Sequence, residues 1–306
     1  MSRGRLLYAS NADSYYATKA NFSDDYIYLQ DSQGKTHAVF SKLEIDRARK
    51  ECKVDHIHTI ESLIELLKSN HKLINVVNLI KTLLDMTNTK SIAVSKDFPA
   101  GLYKALIELK IKVYIDDMFF PQRVIKSKEE IENIRQAQEL NTKAFRHAFD
   151  VLSISEIGED NILYYNDEIL TAEILRSNMN SVIASLGGMS NHGGPIIACG
   201  KQGAEPHNVG SGPLYANELI VIDSYPMHSN LYYGDLSRTV IKGKANKKQE
   251  AMYNAVKNAQ QLGLDTLKAN VLGSVVHHAI VKSFESDGFT TGVDAKGRQI
   301  GFIHST

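Results

Sequence analysis

The sequence predicts a protein of the α/β (α+β) class with two domains. Strand-like and helix-like segments alternate over the first part of the chain, as in proteins whose helices pack on a central sheet. A long amphipathic helix with a capping box then begins at Ser127. Two β-prone runs joined by a polar loop come later and predict an antiparallel hairpin. We therefore place the first domain at residues 1–122 and the second at residues 123–306.

The first domain contains short β-prone runs separated by segments with the apolar spacing of helices. The predicted strands are residues 5–9, 25–29, 36–40, 54–59, 91–94 and 112–115. The predicted helices are residues 13–19, 43–50, 60–70, 73–86 and 99–109. His56 and His58 would share one face of a strand as a metal pair, but the sequence offers no third ligand nearby. This favours surface or partly buried histidines.

The second domain begins with the long helix, whose apolar stripe runs along one side. Its apolar positions are 131, 134, 137, 140, 144, 145 and 148. Further helices are predicted at residues 171–179, 246–267 and 271–285, and a strand at residues 196–199. His207 lies in a glycine-rich loop that matches no phosphate-binding motif, which excludes a nucleotide site there.

Composition excludes several classes of protein. The chain of 306 residues is 43% hydrophobic, and its 35 basic and 35 acidic residues balance. A formal net charge of zero gives no sign of a nucleic-acid or anionic-membrane partner. The two cysteines, Cys52 and Cys199, predict no disulfide framework. The sequence shows no signal-peptide core and no long apolar span, so we expect a cytoplasmic protein.

Two aspartates mark the predicted hairpin. The apolar run of residues 218–222 ends on Asp223, and the run of residues 231–233 leads into Asp235. An ionised carboxylate beside packed aliphatic side chains is costly unless a cation compensates it. Local turn hydrogen bonds for Asp223 and an ion pair with Arg238 for Asp235 are one explanation. A divalent metal ion held by both carboxylates is the other.

The segment around these aspartates resembles the catalytic domain of the pita-bread metallopeptidases, which include aminopeptidase P, prolidase and creatinase. The matching motifs are Pro206-His207, Ile222-Asp223 and the run Tyr232-Tyr233-Gly234-Asp235-Leu236-Ser237-Arg238-Thr239. Residues 5–50 similarly resemble the N-terminal domain of creatinase and prolidase. The resemblance implies a non-catalytic, creatinase-like first domain that contributes to a homodimer, followed by a pita-bread catalytic domain.

The resemblance also implies a chemistry. Asp223 would bind one of two divalent metal ions and Asp235 would bridge both, with manganese the first choice and cobalt or zinc the alternatives. His207 and His304 would contact the substrate. The implied reaction is hydrolysis of a peptide bond preceding proline in second position, as in aminopeptidase P or prolidase.

The sequence departs from the family pattern in two places. The two aspartates lie one residue further apart than is common, and Asp-Ser-Tyr-Pro replaces Asp-x-Gly. The family motif His-x-x-Gly-His-Gly would begin at His304. Its metal-binding His would then lie two positions past Thr306, and the family's two glutamate ligands would lie further on. We therefore expect a chain truncated at its C-terminus, which binds metal weakly and does not turn over substrate. A reading frame that continues into Gly-His-Gly would test this.

Two rival functions remain at this stage. A metal-free hydrolase of the creatinase kind predicts that Asp223 or Asp235 is replaced by a residue that binds no metal, and neither is. A non-catalytic binding protein of the same fold predicts no activity even when all metal ligands are present.

Overall fold

The computed structural model describes residues 3–302 and divides into two units between Lys126 and Ser127. The domain boundary at residue 122 stays a prediction. His304 lies outside the described residues. None of the helices within residues 3–302 combines the length and apolar character that a bilayer crossing requires.

The first unit is a six-stranded mixed sheet with helices on both faces, which confirms the predicted α/β layer. Its strands have the order β4-β3-β2-β1-β5-β6. They are β1 Gly4–Ala9, β2 Tyr26–Gln30, β3 Thr36–Phe40, β4 His56–Thr59, β5 Ser91–Ser95 and β6 Lys112–Asp116. The helices are α1 Ala12–Thr18, α2 Ile45–Glu51, α3 Ile60–Ser69, α4 Val76–Met86 and α5 Ala100–Glu108, and a 3₁₀ helix spans Pro121–Val124.

Two apolar clusters hold this sheet between its helices. On one face Leu6 and Ile92 pack with Leu63 of α3 and Leu83 of α4, and all four are fully buried. Aromatic residues and Ala48 of α2 cover the other face. In a strand every second side chain points to the same face, and in an amphipathic helix the apolar residues lie along one side. The apolar residues that the sequence places at these two spacings therefore pack together in the two clusters.

A histidine cluster lies where β3 and β4 pair. His37 stands opposite His56 in the register, so His37, His56 and His58 share one face of the sheet. The buried Asp31 carboxylate lies 3.2 Å from His37 Nε2, and His37 Nδ1 lies 3.2 Å from His58 Nε2. The sequence predicted the pair His56 and His58 but missed His37, because only the strand pairing brings it there.

This cluster predicts a pH-dependent stability of the first unit. Burial, followed by the charges of His37 and His56, lowers the pKa of His58 below its ordinary value. The unfolded chain therefore binds more protons than the folded chain as pH falls through about 6.5, and the free energy of unfolding falls with it. We expect the melting temperature to drop between pH 7.5 and pH 5.5, and to drop less in His58→Gln.

Thermal unfolding followed by circular dichroism at several pH values checks this expectation. The glutamine side chain in His58→Gln has an amide that can donate to His37, so the hydrogen bond survives while the titration is removed. His71→Asn is the control, because His71 is exposed and has a φ of +52°, which asparagine tolerates. Its melting temperature should show the same pH dependence as that of the unsubstituted protein. An equal pH dependence in His58→Gln would contradict the assignment.

The second unit packs helices against a three-stranded antiparallel sheet of order β10-β11-β12. Its helices are α6 Lys128–Ile154, α7 Ala172–Ser185, α8 Lys247–Thr266 and α9 Gly273–Ser286, and a 3₁₀ helix spans Gly200–Ala204. Its strands are β7 Glu156–Ile157, β8 Leu163–Tyr165, β9 Glu168–Ile169, β10 Ile196–Cys199, β11 Leu219–Ser224, β12 Leu236–Ile241, β13 Gly292–Val293 and β14 Gln299–Ile300. The predicted capping box at Ser127 and Glu130 is present at the start of α6.

The core of this unit lies between α6, α7 and the sheet. Phe145 of α6, Leu175 of α7 and Ile222 of β11 are at most 1% exposed and belong to one apolar cluster. From Leu140 onward the stripe of α6 packs against the buried face of the hairpin, as its helical spacing predicts. Ile131, at the start of the predicted stripe, is instead 48% exposed. This packing fixes the hairpin on α6.

One predicted strand is wrong. Residues 231–233 form no strand, and β12 begins only at Leu236. Leu231 has a φ of +66°, which an extended strand does not allow. His228 N donates to Tyr232 O at 2.9 Å, and Tyr232 N donates to Asn230 Oδ1 at 3.0 Å. These bonds close a compact loop in place of the expected extended run.

Candidate metal centre

The pairing of β11 with β12 brings Asp223 and Asp235 to the same end of the hairpin. Asp223 pairs with Ser237 across the two strands. Asp235 lies just before β12, two residues ahead of Ser237. Residues diagonally opposite across two strands are close enough for charged side chains to interact.

The two carboxylates interact electrostatically. Partial burial, followed by the negative charge of Asp223, raises the pKa of Asp235 above its ordinary value, although a hydrogen bond with the Leu236 backbone opposes this shift. Asp235 keeps solvent-exposed surface, so its carboxylate is still reachable from water. Ser237 Oγ donates to Asp223 Oδ1 at 2.9 Å. The two like charges are therefore close enough to influence each other.

Arg238 does not neutralise this pair. It stands opposite Ile222 in the register, on the face away from Asp223. Its Nη1 donates to the carbonyl oxygen of Ser237 at 2.7 Å. Among residues 3–302, no ion pair joins Arg238 to either aspartate. The structure therefore gives no support to the ion pair that the sequence left open for Asp235.

The donor set fits a divalent metal ion in part. Carboxylate oxygens suit Mn²⁺, Mg²⁺ and Zn²⁺, and a cation would relieve the repulsion between Asp223 and Asp235. Within the described part of the chain, no group of three or more His, Cys, Asp or Glu side chains is arranged to hold a metal ion. Asp223 and Asp235 therefore stay predicted metal ligands.

Helix α6 holds both ends of the loop that connects the aspartates. Asn141 Nδ2 donates to Ser224 O and to Gly234 O, and Gln138 Nε2 donates to Asp235 O at 2.8 Å. Gly234 lies directly against the helix, because a Cβ there would come within 2.3 Å of Ala137 O. The loop is therefore docked on α6 beside both carboxylates.

His207 lies in the loop that follows β10. It is exposed, and its φ is +67°. The loop is tied to β10, because Ile197 N donates to Val209 O at 3.0 Å. Arg176 of α7 donates to Pro195 O and to Gly210 O, each at 2.8 Å. Across residues 3–302, no hydrogen bond or ion pair connects His207 with Asp223 or Asp235, so its substrate contact stays a prediction.

Sequence reasoning missed Asn141 and Gln138. Asn141 occupies a core position of the α6 stripe, four residues after Ala137 and four before Phe145. A polar residue among the apolar positions of a helix indicates a buried hydrogen bond, because a buried amide needs hydrogen-bond partners. Its partners, however, are 83 and 93 residues away along the chain.

The fold matches that of solved prolidases and X-Pro aminopeptidases. The prolidase from Pyrococcus horikoshii gives a TM-score of 0.72 at 21% identity, covering 94% of this chain and 74% of that one. The X-Pro aminopeptidase from Thermotoga maritima gives a TM-score of 0.74 at 19% identity, covering 94% of this chain and 76% of that one. The protein therefore has the fold of these prolidases and X-Pro aminopeptidases.

Sequence comparison gives the family. The model of metallopeptidase family M24 matches residues 132–306. The Xaa-Pro dipeptidase of Pyrococcus horikoshii is 26% identical over 271 residues, covering 87% of this chain and 68% of the relative. That of Pyrococcus furiosus is 27% identical over 282 residues, covering 90% and 72%. The chain belongs to metallopeptidase family M24, which confirms its resemblance to the pita-bread metallopeptidases.

Proposed function

We propose that, when all the metal ligands that the resemblance implies are present, this protein is a metal-dependent peptidase of the aminopeptidase P or prolidase type, which hydrolyses the bond between an N-terminal residue and proline. The observation that carries this proposal is the pair of aspartates at the same end of the β11–β12 hairpin, for which no ion pair with a basic side chain is found among residues 3–302. The Xaa-Pro dipeptidases similar to this chain support the choice of substrate.

Asp223 and Asp235 are the proposed metal ligands. Asp223 would hold one of two divalent ions and Asp235 would bridge both, with Mn²⁺ the first choice and Co²⁺ or Zn²⁺ the alternatives. When bound, such a pair supplies Lewis-acid activation of water and of the scissile carbonyl. The family resemblance implies further ligands beyond these two aspartates.

The chain's own residues would orient the reacting groups. Ser237 donates to one oxygen of Asp223, which restricts the rotation of that carboxylate and leaves its second oxygen for a cation. His207, on its exposed loop, would donate to the substrate carbonyl as negative charge develops there. His304 would contact the same substrate, by resemblance alone. We further propose that the protein works as a cytoplasmic homodimer.

Hydrolysis of Xaa-Pro substrates tests the proposed function. A fusion that adds the metal-ligand segment of a prolidase relative after residue 306 supplies the remaining ligands that the resemblance implies. With Mn²⁺ we expect it to release alanine from Ala-Pro but not from Ala-Ala, and to lose this activity in a chelator. Amino-acid release is measured by chromatography.

The controls separate chemistry from folding. Circular dichroism and thermal unfolding establish that the fusion is folded before its activity is scored. A folded fusion that binds Mn²⁺ but cleaves no Xaa-Pro peptide with Mn²⁺, Co²⁺ or Zn²⁺ would contradict the proposed reaction. That result would favour the non-catalytic binding protein as the alternative.

A further inference from the structure

Asn141 is a buried polar residue where α6 meets the segments that carry the aspartates. Its side chain is 0% exposed. Its Nδ2 donates to Ser224 O at 2.6 Å and to Gly234 O at 3.2 Å. Ser224 directly follows Asp223, and Gly234 directly precedes Asp235. One amide group therefore ties together the backbone beside both proposed metal ligands.

The orientation of this amide is fixed by its partners. Both partners are carbonyl oxygens, so only the NH₂ group of Asn141 can face them. The Oδ1 atom is buried and has no hydrogen-bond partner in the range 3–302. An unpaired buried acceptor destabilises a fold, and a native structure keeps few of them. Core stability alone is therefore a poor account of an asparagine at this position.

Electrostatics supplies a better account. Asp223 and Asp235 carry like charges on segments that Asn141 joins, and like charges repel each other at short range. The loop between them could relax and separate the carboxylates if its two ends were free to move. Gln138 holds the Asp235 end from α6, whereas Asn141 holds both ends at once. A single rigid donor between the two carbonyls thus limits how far the carboxylates can move apart.

We propose that Asn141 is a positioning residue that sets the separation of Asp223 and Asp235 for a shared metal ion, an inference that rests on the proposed metal site. It touches neither the metal nor the substrate. It acts through the two peptide units next to the ligands, in the manner of outer-shell residues that orient metal ligands.

Two variants of α6 test this role in the 306-residue chain. Asn141→Leu keeps a buried side chain of similar size and removes both hydrogen bonds. Val151→Ala is the matched control, because Val151 is 2% exposed on the same helix and its truncation destabilises the core without touching the loop. We expect Mn²⁺ affinity to fall about 10-fold or more in Asn141→Leu. In Val151→Ala it should stay unchanged.

Hydrogen exchange provides a readout that needs no metal. Asn141→Leu should speed exchange of the backbone amides of residues 224–236 relative to those of β10, and Val151→Ala should not. Unchanged exchange in Asn141→Leu would overturn the proposal. Where the unsubstituted chain binds Mn²⁺, equal Mn²⁺ affinity in Asn141→Leu would overturn it as well.

The outcomes distinguish this inference from the proposed function. If the unsubstituted chain binds no Mn²⁺, the metal site fails, and the exchange result alone upholds or overturns the positioning of the two aspartates. If it binds Mn²⁺ and Asn141→Leu binds equally well, the role of Asn141 fails and the metal site stands. Should Asn141→Leu not fold, Asn141→Ser is scored by the same criteria, since its short hydroxyl cannot span both carbonyls.

Discussion

Replacing Asp235 with asparagine is expected to abolish Xaa-Pro hydrolysis by the ligand-completed fusion while leaving its fold intact. Asparagine has nearly the same size, but it removes the charge that would bridge two metal ions. Loss of an outer-shell partner already costs about 10–100-fold in metal affinity or activity, and loss of a bridging ligand should exceed that range. Steady-state release of the N-terminal residue at saturating Mn²⁺ measures the effect.

The folded state of the metal-free protein should not suffer from this substitution. Burial and the negative charge of Asp223 both disfavour the ionised form of Asp235, so a neutral side chain at this position relieves a repulsion. We expect the melting temperature of Asp235→Asn without metal to equal or slightly exceed that of the unsubstituted chain. Asp150→Asn, at an exposed position on α6, is the control and should keep full activity. Retained turnover in Asp235→Asn would refute the bridging role.

Replacing Gly234 with alanine is expected to destabilise the second unit and to displace Asp235. A Cβ at this position would lie 2.3 Å from Ala137 O and 2.6 Å from Ala137 C, and these backbone atoms cannot move without moving α6. Overpacking of this kind costs about 1–3 kcal/mol in the free energy of unfolding. Urea unfolding measures the loss, and Mn²⁺ titration measures the displacement.

Gly273→Ala provides the matched control for this prediction. Gly273 is the first residue of α9, and a Cβ there would have nothing within 4 Å. Alanine has at least the helix preference of glycine and meets no clash here, so this variant should be as stable as the unsubstituted protein or more so. Equal stability of Gly234→Ala and Gly273→Ala would show that the loop does not rest on α6 as described.

Much of the fold could be predicted from local patterns. The capping box at Ser127 and the apolar run ending at Asp223 each depend on neighbours in sequence, and both appear in the structure. Alternation and helical spacing also located the strands and helices of the first unit to within a few residues. These signals are reliable because the side-chain periods of 2.0 and 3.6 residues are properties of the backbone itself.

The features that local patterns missed depend on contacts between distant segments. Residues 231–233 are β-prone, yet Asn230 Nδ2 donates to Asn133 O at 3.0 Å, and the chain turns there instead of extending. His37 joins His56 only through the pairing of β3 with β4. Asn141 likewise finds its carbonyls on the hairpin. In each case the deciding partner belongs to another element, so local propensity is overruled by tertiary structure.

The central claim is that Asp223 and Asp235 jointly hold a divalent cation, and a Mn²⁺ titration of the 306-residue chain tests it most directly. Electron paramagnetic resonance of free Mn²⁺ reports the bound fraction for the unsubstituted chain, for each single Asp→Asn variant and for Asp150→Asn. We expect saturable Mn²⁺ binding by the unsubstituted chain and by Asp150→Asn. Either single substitution, Asp223→Asn or Asp235→Asn, should abolish this binding. Mn²⁺ binding that persists unchanged in both single variants would contradict the central claim.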